Sequence, residues 1–131
     1  MVGTADPHAT FFLEPGESAA FLAWLDERVD DNEITQSQSD IAWFFADLCT
    51  AHPLGGWLYD HQVYMFWEGD DRLLEVIILP DNLVTYFVRV GEEFEVPENE
   101  MGEPASPKLY QHLTHVVTEL FTRPITKDVL A

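Results

Sequence analysis

Positive charge is scarce in this sequence. Six lysines and arginines stand against 24 aspartates and glutamates in 131 residues, so the formal net charge is −18. Lysine and arginine carry most binding to phosphate backbones, and we therefore expect no direct contact with nucleic acid. The negative charge has three candidate explanations. The first is the solvated surface of a salt-adapted domain, the second is an acidic face that binds a basic partner protein, and the third is mimicry of nucleic-acid charge.

Cysteine and long apolar runs are also scarce. Cys49 is the single cysteine, which excludes an internal disulfide framework and fits a reducing compartment. No apolar run reaches the ~18 residues of a membrane-spanning helix, and the N-terminus lacks the pattern of a signal peptide. The sequence therefore predicts a cytoplasmic protein that does not associate with a membrane.

Catalytic motifs are missing as well. The sequence contains no glycine-rich phosphate loop, no Gly-x-Ser-x-Gly elbow and no Cys-x-x-Cys pair. Its acidic clusters lack the staggered spacing of a calcium-binding loop. We therefore predict a protein that is not an enzyme and that needs no cofactor.

What the sequence does contain is enough apolar material for one packed domain. Hydrophobic residues make up 47% of the chain and aromatic residues 13%. A chain of this length buries roughly two-thirds of its unfolded surface. We predict a single acidic domain over residues 1–131, with an N-terminal arm at 1–14, an acidic loop at 92–106 and a C-terminal tail at 124–131.

Three β-rich segments, residues 57–67, 73–79 and 83–90, are separated by short turn signals and predict an antiparallel meander. Alternation of side chains assigns each residue to a face. The face expected beneath the helices carries His61, Val63, Met65, Trp67, Leu74, Val76, Ile78, Thr85 and Phe87. The opposite face carries Gln62, Tyr64, Phe66, Leu73, Glu75, Ile77, Val84, Tyr86 and Val88.

Three helices complete the predicted fold. The first is expected over about residues 17–29, the second from a capping signal at Ser37 and Asp40, and the third from Ser106 and Pro107. Their predicted apolar stripes are Phe21, Leu22, Leu25 and Val29; Ile41, Phe44, Phe45 and Leu48; and Leu109, Leu113, Val116, Val117 and Leu120. Phe94 and Val96 alternate with glutamates and suggest a short edge strand or an extended arm. The predicted fold class is two-layer α+β in the order ααβββ(β)α, with three helices on one face of a three- to four-stranded antiparallel meander.

Glu75 is the charged residue inside an otherwise apolar segment, and the predicted register places it between Tyr64 and Tyr86. A carboxylate flanked by two phenols could form a small ligand pocket. The alternative is that Glu75 faces solvent and discourages association between sheet edges.

The third predicted helix presents His112, His115 and Glu119 on its polar side. Imidazole and carboxylate groups at this spacing can chelate a metal, but the pattern lacks a complete metalloenzyme motif. The alternative is that these three residues are exposed and solvated, and we predict no bound metal.

Trp24 and Trp43 lie off the apolar stripes of their helices, which fits interface anchors. The alternative is that they pack against each other or against Phe11 and Phe12. We predict a non-catalytic module that binds a basic protein partner in an inhibitor, immunity-type, chaperone or nucleic-acid-mimic role. Homodimerisation is compatible with this prediction. Alternatives are a small ligand-binding domain or enzyme on the sheet face, and a salt-adapted domain whose charge serves solubility. The acidic residues expected to contact the partner are Glu92, Glu93, Glu95, Glu98, Glu100 and Glu103.

Overall fold

A computed structural model describes residues 9–12, 18–49, 54–69, 71–95 and 102–122. Three helices and an antiparallel sheet form an α+β fold, as the sequence predicts. The elements are β1 Ala9–Phe12, α1 Ser18–Asp30, α2 Gln36–Phe45, β2 Leu54–Tyr59, β3 Gln62–Gly69, β4 Arg72–Ile78, β5 Leu83–Val90, β6 Glu93–Glu95, β7 Glu103–Pro104 and α3 Pro107–Thr122.

The sheet is larger than the predicted meander. Its strands follow the order β1-β2-β3-β4-β5-β6, and β7 also pairs with β5. Every pairing is antiparallel. The predicted edge strand around Phe94 is confirmed as β6. Because β4 lies between β3 and β5, its residues are in the interior of the sheet.

The first predicted β segment is in fact two strands. Tyr59 pairs with Gln62, and the intervening Asp60 and His61 have φ angles of 52° and 65°. Positive φ at both central residues defines a type I′ turn, whose twist matches that of the strands it joins. Aspartate and histidine tolerate this conformation better than most residues. The prediction that His61 lies on a strand face is therefore wrong.

The predicted faces of β3 and β4 are confirmed, but that of β5 is shifted by one residue. Leu79 N–H donates to the Leu83 carbonyl at 2.8 Å, and Ile78 pairs with Val84. This closes a three-residue loop over residues 80–82, so even-numbered residues of β4 face even-numbered residues of β5. The predicted register would need a loop with an even number of residues. The residues assigned to the wrong face are Val84, Thr85, Tyr86, Phe87 and Val88.

One face of the sheet contributes to the hydrophobic core, and we call it the inner face. Its buried residues are Leu54, Leu58, Val63, Met65, Trp67, Leu74, Val76, Ile78, Val84, Tyr86 and Val88. Side chains from all three helices join the same cluster: Phe21, Leu22, Leu25, Ala42, Phe45, Leu109, Leu113, Val117 and Leu120. Fully burying one such side chain stabilises the fold by about 1.5–3 kcal/mol, so this cluster is the main source of stability.

Helix α2 begins two residues earlier than the predicted box implies. Thr35 is its N-cap: Thr35 Oγ1 accepts from Gln38 N–H at 3.1 Å, and Gln38 Oε1 accepts from Thr35 N–H at 2.9 Å. This is a capping box, and it replaces the one predicted from Ser37 and Asp40. Gln38 is fully buried, and its Nε2 donates to the carbonyls of His61 and Ile78.

The buried side of α2 follows from this start. Gln38, Ala42 and Phe45 lie on the same side at helical spacing and are all 0% exposed. Phe44, predicted to be buried, is instead 41% exposed because it lies one position off this line. For α3 the predicted start is confirmed, since Leu109 N–H donates to Ser106 Oγ at 3.1 Å.

Candidate functional site

Three of the four lysines and arginines that the structure describes, Arg28, Arg72 and Arg89, are engaged within the protein. Arg28 lies 3.3 Å from Asp31 and 3.6 Å from Glu33, and Arg89 lies 3.1 Å from Glu68. Each arginine therefore has its charge balanced by neighbouring carboxylates. Lys108 is the remaining described cation, and it forms no ion pair with another described residue.

Arg72 is engaged in a different way. It is 7% exposed on the inner face, and its Nη1 donates to the Leu120 carbonyl at 2.6 Å. This carbonyl lies in the last turn of α3, where the helix dipole favours a positive charge. The positive charge of Arg72 therefore stabilises the end of a helix and does not reach the surface.

Helices α2 and α3 together present an exposed aromatic surface edged by carboxylates. Trp43 is 51% exposed and Phe44 is 41% exposed. The exposed carboxylates of Asp40 and Asp47 lie three residues before and four residues after Trp43. We call this surface the α2–α3 patch; it consists of Asp40, Trp43, Phe44, Asp47, Tyr110 and Gln111.

The α2–α3 patch contains a shallow cleft of about 310 Å³ that is open to solvent. Tyr110 Oη donates to Asp47 Oδ1 at 2.7 Å, and the Phe44 and Tyr110 ring centroids are 5.3 Å apart. The hydrogen bond to Asp47 raises the pKa of Tyr110, and burial and the nearby negative charge act in the same direction. The tyrosine therefore stays a neutral donor that fixes the position of the carboxylate.

Trp24 is not part of this patch. Its ring stacks on Phe21 at a centroid distance of 5.8 Å, and the Arg28 guanidinium lies 5.6 Å above it. Trp24 is partly buried and packs against the hydrophobic core. The two tryptophans predicted as interface anchors thus differ, because Trp43 alone is predominantly exposed.

The predicted acidic contact residues extend over the end of β5 and the strands beside it. Glu92 and Glu93 are exposed, and Glu103 in β7 is partly buried. Glu95 belongs to β6, while Glu98 and Glu100 lie outside the residues that the structure describes. The described acidic residues of this group therefore lie near the sheet edge formed by β6 and β7.

The second face of the sheet, which we call the outer face, carries the predicted pocket residue Glu75. Phe66 and Phe87 are its partners on the two neighbouring strands. Glu75 Oε2 accepts a long hydrogen bond of 3.4 Å from Trp57 Nε1. The Trp57 ring also stacks on Tyr64, with centroids 4.4 Å apart.

Burial raises the pKa of Glu75, and the hydrogen bond from Trp57 lowers it in part. Burial also raises the pKa of Tyr64, reinforced by the charge of Glu75. Tyr64 Oη donates to Gln62 Oε1 at 2.8 Å, so the phenol does not bond to Glu75. Glu75 is partly exposed on the outer face, as the predicted alternative has it, but on the interior strand β4 it does not protect a sheet edge.

Tyr86 does not join Glu75 and Tyr64. It pairs with Val76 on the inner face, is 5% exposed, and its Oη lies 2.9 Å from His112 Nε2. The prediction that places it on the same face as Glu75 is wrong because of the odd-numbered loop before β5. Sequence reasoning missed Trp57, which could have been found by recognising the two-residue turn at 60–61.

The three predicted metal-ligand candidates are likewise divided. His112 contacts Tyr86, whereas His115 Nε2 lies 3.0 Å from Glu119 Oε2 on the exposed side of α3. Within the described part of the chain, no group of three or more histidine, cysteine, aspartate or glutamate side chains is arranged to hold a metal ion.

A second concave region of about 410 Å³ lies near the start of α2 and includes His61 and Gln38. These two polar residues already have partners. Gln38 bonds through both amide atoms, and His61 Nδ1 lies 2.8 Å from the Glu33 carbonyl. These contacts fasten the type I′ turn to the helix, and a structural role accounts for them.

Among the described helices, none combines the length and apolar character needed to cross a membrane. Comparisons of the chain with protein-family models, with curated proteins and with solved structures found no match in any of the three.

Proposed function

We propose that this protein is a non-catalytic module that binds a basic protein partner through the α2–α3 patch. One observation carries the proposal: Trp43 and Phe44 are consecutive exposed aromatic residues of α2, and in the sequence they lie between the exposed carboxylates of Asp40 and Asp47. Large aromatic side chains are the typical anchors of protein interfaces, because they bury much area for little loss of conformational freedom.

The chemistry of the patch suits a cationic partner. An arginine or lysine can lie over the Trp43 ring and still reach a neighbouring carboxylate, which combines a cation–π contact with an ion pair. The net charge of −18 would accelerate the encounter with such a partner and repel acidic proteins. Inhibitor, immunity-type, chaperone and nucleic-acid-mimic roles would all use the surface in this way, and we place the complex in the cytoplasm.

The test starts with the protein as bait in a lysate of its native host at low salt, followed by elution in a KCl gradient. The affinity of the recovered basic protein is then measured for defined variants. Trp43→Ala should weaken binding by about 2 kcal/mol, roughly thirtyfold, as expected for an interface anchor. The matched control is Phe94→Ala, which removes another exposed aromatic residue, on β6.

A second pair of variants tests the carboxylates. D40N/D47N should slow association by about tenfold at low salt. D71N/D81N removes the same charge from exposed turns, and it should change association much less. Asparagine at position 47 can still accept the Tyr110 hydrogen bond, so the patch keeps its shape.

Equal effects of the two charge pairs, or full binding by Trp43→Ala, would show that the patch is not the interface. A bait that retains no basic protein would contradict the proposal as a whole. If the domain then lost thermal stability as KCl is removed, the charge would be explained by salt adaptation.

A further inference from the structure

Glu75 lies in an aromatic environment on the outer face, away from the α2–α3 patch. The Trp57 indole contacts it from the β2 side, and Phe87 lies directly opposite it on β5. The ring of Phe66 extends over Gly55, which has no side chain to displace it. The carboxylate thus has as neighbours the Trp57 indole, which is stacked on Tyr64, and its cross-strand partner Phe87.

This carboxylate forms no ion pair with any described residue. The nearest candidate on the same face is Arg89, two residues beyond Phe87 in β5. Its guanidinium is already occupied, because Nη2 lies 3.1 Å from Glu68 Oε2 and Nη1 donates to the Gly91 carbonyl at 2.7 Å. A half-buried carboxylate whose one described side-chain hydrogen bond is 3.4 Å long is poorly compensated for lost hydration.

We infer that the outer face binds a small organic cation, an ammonium or guanidinium group, against Glu75 with Trp57, Tyr64 and Phe87 around it. Aromatic rings attract cations through their negative faces, and a carboxylate at the base of the site adds an ion pair. Glu75, Trp57, Tyr64 and Phe66 are each partly exposed and Phe87 is 36% exposed, so a ligand of this size can reach the carboxylate from solvent.

The proton is the natural competitor of such a ligand. Because burial raises the pKa of Glu75, protonation and cation binding are alternative ways to neutralise the same group. Among the described residues, the other titratable side chains on this face are Tyr59 of β2, Tyr64 and Glu68 of β3, and Arg89 of β5. Binding should therefore weaken as pH falls through the titration of Glu75, and the bound cation should lower the pKa of this carboxyl.

The experiment is a titration of the whole chain with tetramethylammonium and, separately, methylguanidinium, followed by NMR of the tryptophan indole N–H signals. The Trp57 signal should shift to saturation with at least one probe and much less with equal KCl. E75Q, which keeps the shape of the side chain, should weaken that binding by about tenfold or more. E68Q removes the same charge on the same face, and it should change affinity by less than about twofold.

The indole signals of Trp24, Trp43 and Trp67 report whether E75Q remains folded. If these three signals show that E75Q is not folded, the test of the inference is the comparison of each probe with KCl in the wild-type protein. Equal responses to both probes and KCl, or equal losses in E75Q and E68Q, would overturn the inference. This result is separable from the proposed function, because Trp43→Ala should leave the Trp57 titration unchanged.

Discussion

The inner and outer faces of the sheet are built from the same strands and are chemically different. On the inner face, Met65, Trp67 and Val76 are completely buried among side chains of the helices. On the outer face, Tyr64 and Phe66 alternate with them and are partly exposed. Packing against the helix side chains therefore fixes the positions of the inner residues. The outer aromatic residues, in contrast, keep part of their surface in contact with solvent.

Polar groups show the same contrast. On the inner face, Arg72 donates to a helix carbonyl at 2.6 Å and Tyr86 bonds to His112 at 2.9 Å. On the outer face, Glu75 has a 3.4 Å hydrogen bond from Trp57. Both inner-face bonds are short, although the buried Nε of Arg72 and Nε1 of Trp67 have no described partner, and an unmade buried bond costs about 1–3 kcal/mol. The weak bonding of Glu75 is what an exchangeable ligand site requires.

The largest expected effect on stability comes from a comparison of two neighbouring glycines of β2. A Cβ at Gly56 would overlap the Phe21 ring and lie 2.8 Å from the Tyr64 carbonyl oxygen. A Cβ at Gly55 would lie 2.5 Å from Cζ of Phe66, at the far end of a partly exposed side chain that can move. In urea unfolding, G56A should cost about 3 kcal/mol and G55A about 1 kcal/mol or less. Equal losses would mean that the outer face is packed as tightly as the inner one.

The next test compares an arginine on each face. R72M removes a charge-assisted hydrogen bond from the buried end of α3 and should destabilise the protein by about 2 kcal/mol. R89M removes a partly exposed ion pair with Glu68 and a partly buried hydrogen bond to the Gly91 carbonyl, and it should cost about 1 kcal/mol. Both variants keep a long apolar side chain, so thermal unfolding of the two reports mainly on the lost polar contacts. A larger loss in R89M would contradict the division between the faces.

The smallest expected effect is a dependence of folding stability on pH. Because burial raises the pKa of Glu75 above its ordinary value of 4.5, the folded protein holds this proton more tightly than the unfolded chain. Stability from this group is thus fully present at acidic pH and is lost as pH rises from about 4.5 through the raised folded pKa. E75Q should therefore gain stability relative to wild type across this window. E68Q, of equal net charge, is the control, and parallel pH profiles for E75Q and E68Q would argue against the burial effect.

Much of this fold could be predicted from the sequence, because the signals are local. The start of α3 at Ser106 and Pro107 follows from capping chemistry, and the faces of β3 and β4 follow from strict alternation. Thr35 was missed as the cap of α2 because two serines closer to the apolar stripe offer the same chemistry. The turn at 60–61 was missed because it contains no glycine.

The candidate sites were less predictable, since they depend on register and on the approach of distant elements. Glu75 stood out as a charge in an apolar segment, and Tyr64 was correctly placed on its face. Tyr86 was misplaced by a single loop residue, because alternation turns a one-residue error into the opposite face. The contacts of Phe44 and Asp47 with Tyr110 cross more than 60 positions, and no local pattern encodes them.

Gln38, the partner of Thr35 in the capping box, also constrains the order in which the chain folds. Strands β2 to β5 are consecutive hairpins with short loops, which close at little entropic cost and form quickly. The buried amide of Gln38 instead bonds carbonyls 23 and 40 positions further along, at the first of these turns and at the end of β4. Helix α2 can complete those bonds only once three strands are aligned, so we expect its docking to follow, and to report, the assembly of the meander.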